Sequence, residues 1–281
     1  MEEKSIAELK AMSTRVRKDL LDALYHAGSG HPGGALSSVE ILVALYFRCM
    51  RVDPENPTWE DRDRLVFSKG HACPALYAVL AERGFFDLEV LKTLRKPDSI
   101  LQGHPVWGKV PGVDTCSGSL GQGASIAGGM ALYGKKRHRD YKVFCVLGDG
   151  ESEEGQVWAA AMSAGHFGLN NLIVILDNND LQIDGRVRDI MSIYPVIDKY
   201  RAFNFDTIEV SDGNDIEQVI DAIELARKST GRPTFIQCHT VKGKGVPLLE
   251  NKVDSHGRTI TKEILEQAVA GLDAAEGGAA E

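Results

Sequence analysis

The sequence predicts an α/β fold, a doubly wound and mostly parallel sheet with helices on both faces. Short apolar runs of strand length alternate with longer helical stretches along the chain. The runs at residues 143–147 and 172–176 are continuously apolar, which is typical of strands covered on both faces. One helix, predicted over residues 156–167, joins these two strands. A crossover of that kind places both strands parallel in one sheet, with their carboxyl ends on the same edge.

Length and composition predict one large domain. The chain has 281 residues, of which 43% are hydrophobic and 26% charged, as in an ordinary globular protein. The pattern continues without a boundary through residues 1–270. The small, acidic stretch 271–281 is predicted to be a disordered tail.

Charge and cysteine content narrow the class of protein. A net charge of −8 argues against general nucleic-acid binding. No apolar run reaches membrane length. The five cysteines show no metal-type spacing, and no signal peptide is recognisable, so we expect a cytoplasmic protein.

A histidine stands in a glycine-rich loop after the first predicted helix. That helix follows a capping box at Ser5 to Glu8 and should end near Gly28. The loop over residues 28–34 is too rich in glycine for an element interior, and it holds His31 just before a proline. Taken alone, the loop fits a surface turn and a site that presents a histidine equally well.

A second histidine follows a predicted strand. After a buried helix over residues 38–46, the strand 65–68 runs directly into Lys69-Gly70-His71, and a helix over 75–83 comes next. A helix N-terminus favours an anion. His71 therefore fits either an anion site or a simple helix cap.

A third histidine, His104, lies between Gly103 and Pro105, and a glycine-rich loop follows it. That loop, residues 117–123, opens a small-residue helix over 124–133. Such a loop suits close approach to a flat ring or a phosphate, and it also suits close packing of a helix on a sheet.

Oxygen-bearing side chains follow the two central strands. Asp149, between Gly148 and Gly150, comes after one strand, and Asn179 comes after the next. With the Leu181 carbonyl they form a partial oxygen shell. Mg²⁺ takes few protein ligands and completes its shell with phosphate oxygens and water.

The sequence pattern in the last third of the chain predicts two more strands. They lie at residues 206–210 and 234–238, with a helix over 215–227 between them that Asn214 would cap. The loop over 242–247 lacks the spacing of a phosphate-binding P-loop and is interpreted as a mobile cover. A final helix is predicted over 261–270.

Gly148-Asp149-Gly150, followed by Asn179 after the next strand, resembles the signature of thiamine diphosphate enzymes. The run Leu181 to Gly185 is similar to the transketolase group. The resemblance covers the chain from His31 to His256, and it matches only the amino-terminal, diphosphate-binding part of that family. The chain thus resembles the small subunit of a split transketolase.

The resemblance implies transfer of a two-carbon ketol unit from a ketose phosphate to an aldose acceptor. Thiamine diphosphate would carry the unit, held with Mg²⁺ or Ca²⁺. A separate subunit with the pyrimidine-binding domain would complete the site and supply the activating glutamate. The chain would be active only with that partner and would also self-associate, giving two copies of each subunit.

The resemblance also implies roles for particular residues. Candidates for proton transfer are His31, His104 and His256. Candidates for holding the cofactor are His71, Gly118, Ser119, Leu120, Gly150, Glu151, Asn179, Ile183 and His256. The metal ligands would be Asp149, Asn179 and the Leu181 carbonyl.

Other interpretations stay open from the sequence. The chain could be the α subunit of a 2-oxoacid dehydrogenase or part of a deoxyxylulose phosphate synthase, although the His31 and His104 motifs disfavour the first. It could also be an inactive cofactor-binding scaffold, which the intact histidine set disfavours. One departure from the family pattern is Ala159, where relatives often carry an acidic residue.

Overall fold

The computed structural model describes residues 4–278. Five strands form one sheet in the order β1-β2-β3-β5-β4, and every pair is parallel. The strands are β1 (Arg64–Phe67), β2 (Val143–Gly148), β3 (Leu172–Asn178), β4 (Asp206–Val210) and β5 (Thr234–His239). The predicted fold class is confirmed, and each predicted strand is present.

Helices flank the sheet on both faces. Within residues 4–278 the α-helices are α1 (Ile6–Ala27), α2 (Pro32–Ser37), α3 (Val39–Ala44), α4 (Cys73–Glu82), α5 (Gln122–Lys136), α6 (Gly155–His166), α7 (Val187–Ile190), α8 (Val196–Ala202), α9 (Ile216–Arg227) and α10 (Lys262–Gly278). Helix α3 continues as a π-helical turn at Leu45–Cys49, and short 3₁₀ segments lie at Gly70–Ala72, Leu88–Thr93, Gly150–Glu153 and Val253–His256.

The sheet separates two apolar cores. Successive strand residues point to opposite faces. In β2, Phe144 and Val146 pack into the core beneath α1, α3, α4 and α9. Cys145 and Leu147 pack into the second core, beneath α5, α6 and α8. Burial on both faces explains why β2 and β3 are almost continuously apolar in sequence.

Helix α1 starts and stops where the sequence predicts. The Ser5 hydroxyl accepts from the amide of Glu8, and the Glu8 carboxylate accepts from the amide of Ser5, which completes the capping box. Gly28 ends the helix at φ 67°, a left-handed conformation that glycine adopts at little cost. The loop bearing His31 therefore starts at a fixed point.

Parallel pairing brings the carboxyl ends of four strands to one edge of the sheet. Gly148 of β2 pairs with Asp177 of β3, and Asp177 pairs with Cys238 of β5, while β1 ends beside β2 at Phe67. The segments that carry His71, Asp149, Asn179 and Lys242 all leave this edge. Such an edge is where open α/β sheets bind ligands.

Two local predictions are corrected by the structure. Asp215, not Asn214, caps α9, since its carboxylate accepts from the amide of Glu217. Asn214 instead donates to the Ser37 carbonyl and accepts from the amide of Val241. The glycine-rich loop is also shorter than predicted, because Pro32 already begins α2.

The predicted disordered tail is helical as far as the structure describes it. Helix α10 runs on to Gly278, eight residues beyond its predicted end, and residues 279–281 lie outside the described part. Leu272 is buried against the core, and Lys18 of α1 forms an ion pair with Asp273. These contacts join the end of the chain to α1.

The loop 242–247, predicted to be a mobile cover, packs closely instead. Lys242 is 1% exposed, and the amide of Gly243 donates to the Gly33 carbonyl at 3.0 Å. The contact is made with a segment more than 200 residues away, so no local pattern could indicate it. The loop is a fixed wall of the carboxyl edge.

Among the helices of residues 4–278, none is long and apolar enough to cross a membrane.

The packing of α6 gives a stability test. A Cβ added at Gly165 would lie 1.7 Å from the carbonyl oxygen of Phe203, so Gly165→Ala must displace backbone. We expect it to lower the free energy of unfolding by about 1–3 kcal/mol or more, measured by denaturant titration. Gly128→Ala in α5 is the control, because a Cβ there meets nothing within 4 Å. It should stabilise by up to about 1 kcal/mol, since alanine favours helix over glycine. Equal effects would contradict the packing.

Candidate active site

A cavity of about 270 Å³ opens at the carboxyl edge of the sheet. It is lined by His31, Gly34, Lys69, His71, Gly118, Leu120, Gly148, Asp149, Gly150, Glu151, Asn179, Leu181, Gln182, Ile183, Lys242 and His256. Most of the predicted site residues thus share one space. Of the described candidates, Ser119 and His104 do not line it.

Three of the four predicted histidines converge. The ring of His31 lies 5.2 Å from that of His71 and 5.4 Å from that of His256, edge-on in both cases. His71 and His256 stack at 5.2 Å. The loop after α1, the turn after β1 and the segment after β5 each contribute one ring. Residues more than 200 positions apart therefore form one cluster.

The surroundings of these rings favour their neutral forms. Burial, followed by the charge of Lys69, lowers the pKa of His71 to about 2. Burial and the Lys242 ammonium lower the pKa of His256 to about 3. Burial also lowers the pKa of His31, with a further contribution from the charge of Arg95. A neutral imidazole has one nitrogen that can accept a proton and one N–H that can donate a hydrogen bond, so each ring can hold a ligand hydroxyl and take its proton.

His104 occupies the rim rather than the cluster. A Cβ on Gly118 would lie 3.0 Å from the His104 ring, so the ring covers that glycine. The amide of Ser117 donates to the carbonyl of Pro105 at 3.4 Å, which ties the histidine loop to the glycine-rich loop. His104 is placed to meet a ligand outside the cavity proper.

A buried ion pair supports the cluster from below. Lys69, 2% exposed, pairs with Asp177, which is fully buried. The carboxylate also accepts from the hydroxyls of Ser37, Ser38 and Thr240. Burial alone would raise the pKa of Asp177, but the charge of Lys69 and these hydrogen bonds hold it below its usual value. Every oxygen of this carboxylate is satisfied.

A second lysine reaches into the cavity. The Lys242 ammonium donates to the Leu181 carbonyl at 2.9 Å and lies 3.0 Å from Nδ1 of His256. Among residues 4–278 no carboxylate lies within ion-pair distance of it. Burial lowers the pKa of Lys242 to about 8. A largely protonated lysine without a carboxylate partner is a site for an anion.

The three predicted metal ligands lie together. The Asp149 carboxylate accepts from the amides of Gly150 and Asp180, so it reaches across from β2 to the segment after β3. Asn179 Oδ1 lies 3.2 Å from the amide nitrogen of Leu181. Burial and the nearby charge of Asp177 raise the pKa of Asp149 to about 7. A bound cation would favour its ionised form.

Glu151, a predicted cofactor residue, has its carboxylate committed to the protein. It accepts from the amides of Gly121 and Gly148 at 2.9 and 3.0 Å and from the Ser68 hydroxyl. It is 3% exposed, and burial raises its pKa. These bonds join β1, β2 and the start of α5, so the carboxylate holds the walls of the cavity together.

Sequence reasoning misses three charged residues of this site: Lys69, Asp177 and Lys242. Two of them carry a signal that could have found them. Lys69 lies two residues after β1, and Asp177 lies near the end of β3, so both belong to the active edge. Lys242 follows β5 by three residues, but a comparison of its loop with a P-loop does not single it out.

The ion pair can be tested by Lys69→Met, which leaves the Asp177 carboxylate buried without its cation. We expect a loss of about 3–5 kcal/mol in the free energy of unfolding. The control is Lys92→Met, which removes an exposed, solvent-screened pair with Glu89 and should change the stability far less. Denaturant titration of both variants provides the measurement. A loss at Lys69 no greater than at Lys92 would show that the pair does not support the fold.

Comparison with known proteins places this site in a family. The family model described as transketolase, thiamine diphosphate binding domain, matches residues 8–275. The 6-deoxy-6-sulfo-D-fructose transketolase subunit SqwG of Clostridium sp. (strain MSTE9) is 44% identical, over 95% of this chain and 96% of that protein. An apulose-4-phosphate transketolase subunit of Phocaeicola vulgatus is 40% identical, over 94% of this chain and 93% of that protein.

Solved structures of transketolases support the same family assignment. Transketolase from Campylobacter jejuni superposes with a TM-score of 0.89 at 35% identity, over 96% of this chain and 43% of that one. Transketolase from Leishmania mexicana gives 0.88 at 30% identity, over 97% and 42%. The chain thus spans about two fifths of the length of these transketolases. It belongs to the transketolase family and is a transketolase subunit of the amino-terminal, thiamine diphosphate-binding type.

Proposed function

We propose that this transketolase subunit holds thiamine diphosphate and a divalent cation in the cavity and, with a second subunit, transfers a two-carbon ketol unit from a ketose phosphate to an aldose. The observation that supports this function most strongly is that one cavity holds three kinds of chemical group. A buried lysine without a carboxylate partner, a buried carboxylate and three neutral histidines meet there. When bound, the cofactor supplies the electron sink for carbon–carbon cleavage.

The donors fit a diphosphate. Lys242 offers a buried positive charge, and His71 lies beside it in the deepest part of the histidine cluster. Nδ1 of His31 is buried and has no hydrogen-bond partner among the described residues. A buried polar atom without a hydrogen-bond partner lowers the stability of the protein unless a ligand bonds to it. We assign His71 and Lys242 to the diphosphate.

The oxygens fit a metal that the diphosphate shares. Asp149, Asn179 and the Leu181 carbonyl would hold Mg²⁺ or Ca²⁺. Within residues 4–278 no three His, Cys, Asp or Glu side chains gather as a metal site, so the protein alone offers a sparse set of ligands. Lys242 bonds the same carbonyl that the metal would use, so its ammonium must yield that bond when the metal binds.

The histidines suit proton transfer to sugar hydroxyls. Because the Lys242 ammonium faces Nδ1 of His256, that nitrogen accepts and the proton resides on Nε2. His256 can therefore donate a hydrogen bond from Nε2 to a sugar oxygen, and His31, edge-on to it, can accept a proton from the same ligand. His104 would contact the substrate from the rim. Burial lowers the pKa of His31 and, with the charge of Lys242, lowers that of His256 to about 3, so both rings favour the neutral form that accepts a proton.

Glycines and apolar residues would shape the cofactor's surroundings. Gly118, Leu120 and Gly150 line the cavity, and we assign them to close approach of the cofactor. Ser119 lies beside them, outside the lining. Ile183 lines the cavity while 65% of it stays exposed, and we assign it to packing on the cofactor ring.

The metal assignment is tested by Asp149→Asn, which removes the charge but keeps the shape. We expect thiamine diphosphate affinity to fall by at least about 10-fold, since even outer-shell changes at metal sites cost roughly 10–100-fold. Asp184→Asn is the control, an exposed carboxylate a few residues beyond Leu181. Titration calorimetry over a series of Mg²⁺ concentrations measures both. Unchanged affinity and metal dependence in Asp149→Asn would refute the assignment.

A partner subunit is supported by an apolar surface beside the cavity. Ile183, Ile190 and Met191 are 65%, 51% and 61% exposed. A Cβ on Gly185 would lie 3.4 Å from Cδ1 of Ile190, so the side chain folds over this loop. Several exposed apolar side chains in one segment beside a ligand cavity are typical of an interaction site. We assign this patch to the subunit that carries the pyrimidine-binding domain.

The partner prediction has two parts. This chain, loaded with Mg²⁺ and thiamine diphosphate, should show no ketol transfer until the partner is added. Met191→Asp should weaken the partner's affinity by about 10-fold or more, as loss of a buried apolar contact does. The control is Leu225→Asp, a 59% exposed residue of α9, on the other face of the sheet.

Sedimentation gives the affinity, and a coupled assay gives the turnover. Robust turnover by the chain alone would refute the two-subunit enzyme. Equal weakening by Met191→Asp and Leu225→Asp would leave the two-subunit enzyme standing and remove the patch from the interface.

The sugars are proposed by class only. The relatives are named for 6-deoxy-6-sulfo-D-fructose and apulose 4-phosphate, two sugars with an anionic end. We extend to this chain only the shared chemistry, a sugar with a terminal oxyanion. Screening ketose and aldose phosphates against the assembled complex would identify the pair.

A further inference from the structure

A second buried ion pair lies outside the cavity, and no role assigned above uses it. Arg17 of α1 and Glu40 of α3 are 6% and 5% exposed. Nη1 of the guanidinium donates to Oε1 of the carboxylate and Nη2 to Oε2, each at 2.7 Å. A bidentate pair of this kind fixes the orientation of both side chains. Among the described residues neither lines the cavity, so the pair is a rigid feature of the core.

The pair is bonded to the loop that carries Lys242. Nε of Arg17 donates to the carbonyl of Lys244 at 3.0 Å, two residues after Lys242. A Cβ on Gly245 would lie 2.9 Å from Cδ and Nε of Arg17, and the backbone there has φ 87°. Glycine at this position therefore lets the loop approach the guanidinium closely.

Asn214 bonds the other side of the loop to the same pair. Its Oδ1 accepts from the amide of Val241 at 2.8 Å, one residue before Lys242. Its Nδ2 donates to Oε2 of Glu40 at 3.0 Å and to the carbonyl of Ser37 at 3.2 Å. The side-chain amide of Asn214 thus connects the loop to the carboxylate of the pair.

Lys242 therefore lies between two fixed points of its own backbone. One bond is made by the residue before it and one by the second residue after it, and both lead to the Arg17–Glu40 pair. A charged group that is already fixed in its binding position loses little freedom when a ligand arrives. The pair and Asn214 can thus influence a ligand of Lys242 without touching it.

We propose that Asn214 is a positioning residue, which holds Lys242 in place against the Arg17–Glu40 pair and thereby sets the affinity of the cavity for a diphosphate. The inference rests on the proposed function, because it takes Lys242 to contact the diphosphate. The competing explanation is that the bonds of Asn214 only stabilise the fold. Their placement directly beside Lys242 favours positioning, and the experiment separates the two.

The test is a double-mutant cycle in the full chain, assembled with its partner subunit. The variants are Asn214→Ala, Lys242→Met and the two together. Arg17→Lys is a second positioning variant, since it keeps a charge beside Glu40 but lacks the planar fork that also reaches the Lys244 carbonyl. Calorimetry at a saturating Mg²⁺ concentration measures the affinity for thiamine diphosphate. Thermal unfolding measures the stability of each variant.

Asn171→Ala is the matched control. Asn171 is 7% exposed, and its Nδ2 donates to the carbonyl of Ala131 at 2.9 Å. It lies just before β3, at the opposite edge of the sheet from the cavity. The substitution thus removes a buried asparagine bond of the same kind without touching the loop that carries Lys242.

We expect Asn214→Ala to weaken thiamine diphosphate binding by roughly 10-fold, as loss of a group that orients a ligand-binding residue does. Lys242→Met should weaken it by roughly 10–100-fold, the range of a lost charge-assisted hydrogen bond. The double variant should stay within about 2-fold of Lys242→Met, because Asn214 acts through Lys242. Arg17→Lys should weaken binding less than Asn214→Ala. Asn171→Ala should lower Tm and change the affinity by less than about 2-fold.

Hydrogen exchange supplies a measurement that needs neither cofactor nor turnover. Asn214→Ala removes the acceptor of the Val241 amide, so exchange of the amides over residues 241–245 should become faster. Asn171→Ala should leave exchange in this segment unchanged. Unchanged exchange there in Asn214→Ala would overturn the inference.

The affinities decide between positioning and stability alone. Multiplying losses in the double variant would overturn the inference, as would equal losses in Asn214→Ala and Asn171→Ala. If Lys242→Met kept full affinity, this inference would fall with the assignment of Lys242, while ketol transfer by the complex would still support the proposed function. If the cycle showed the coupled loss but the complex transferred no ketol unit, the proposed function would fail and this inference would stand.

Discussion

The buried ion pair between Lys69 and Asp177 is the interaction on which the site depends. It joins the segment after β1 to the end of β3, and the Lys69 ammonium also donates to the Gly34 carbonyl in α2 at 3.0 Å. Asp177 is bonded in turn to α2, to the start of α3 and to Thr240 after β5. Burying two charges is costly, so a pair persists in the core only when its hydrogen bonds are complete, as they are here. His31 and His71 are both within three residues of this network.

The same arrangement sets the electrostatics of the cavity. Lys69 forms an ion pair with Asp177, yet its charge still lowers the pKa of His71 and, to a smaller degree, that of His256. Among residues 4–278, Lys242 forms no ion pair with a carboxylate, and the charge of Asp177 opposes ionisation of Asp149 more than the charge of Lys69 favours it. The protein therefore leaves one cationic and one acidic group in the cavity that are not joined in an ion pair. A diphosphate with a metal carries the two complementary charges, which is why the pair of groups fits that ligand better than a neutral one.

The sequence predicts what depends on local pattern. Unbroken apolar runs locate the central strands β2 and β3, and polar residues just past them locate Asp149 and Asn179, because both signals are carried by neighbouring residues. The predictions are wrong where contacts between distant segments determine the local structure. Asn214 has the chemistry of a helix cap, but Val241 and Ser37 compete for it, and Asp215 caps instead. The burial of Lys242 likewise depends on folds of the chain that no local pattern records.

The proposed division of the site between two chains is consistent with the rigidity of the part that this chain supplies. The ion pair, the bonds of Glu151 and the packing of the loop that carries Lys242 are all internal to this chain. The histidines and the diphosphate side are thus positioned without help from a partner. The wall formed by Ile183 is different, since 65% of that side chain is exposed and no segment of residues 4–278 covers it. Binding a partner there would require little further ordering of this chain, because the groups that must be aligned with the cofactor are already fixed. The free energy gained by removing apolar area from water would therefore stabilise the complex.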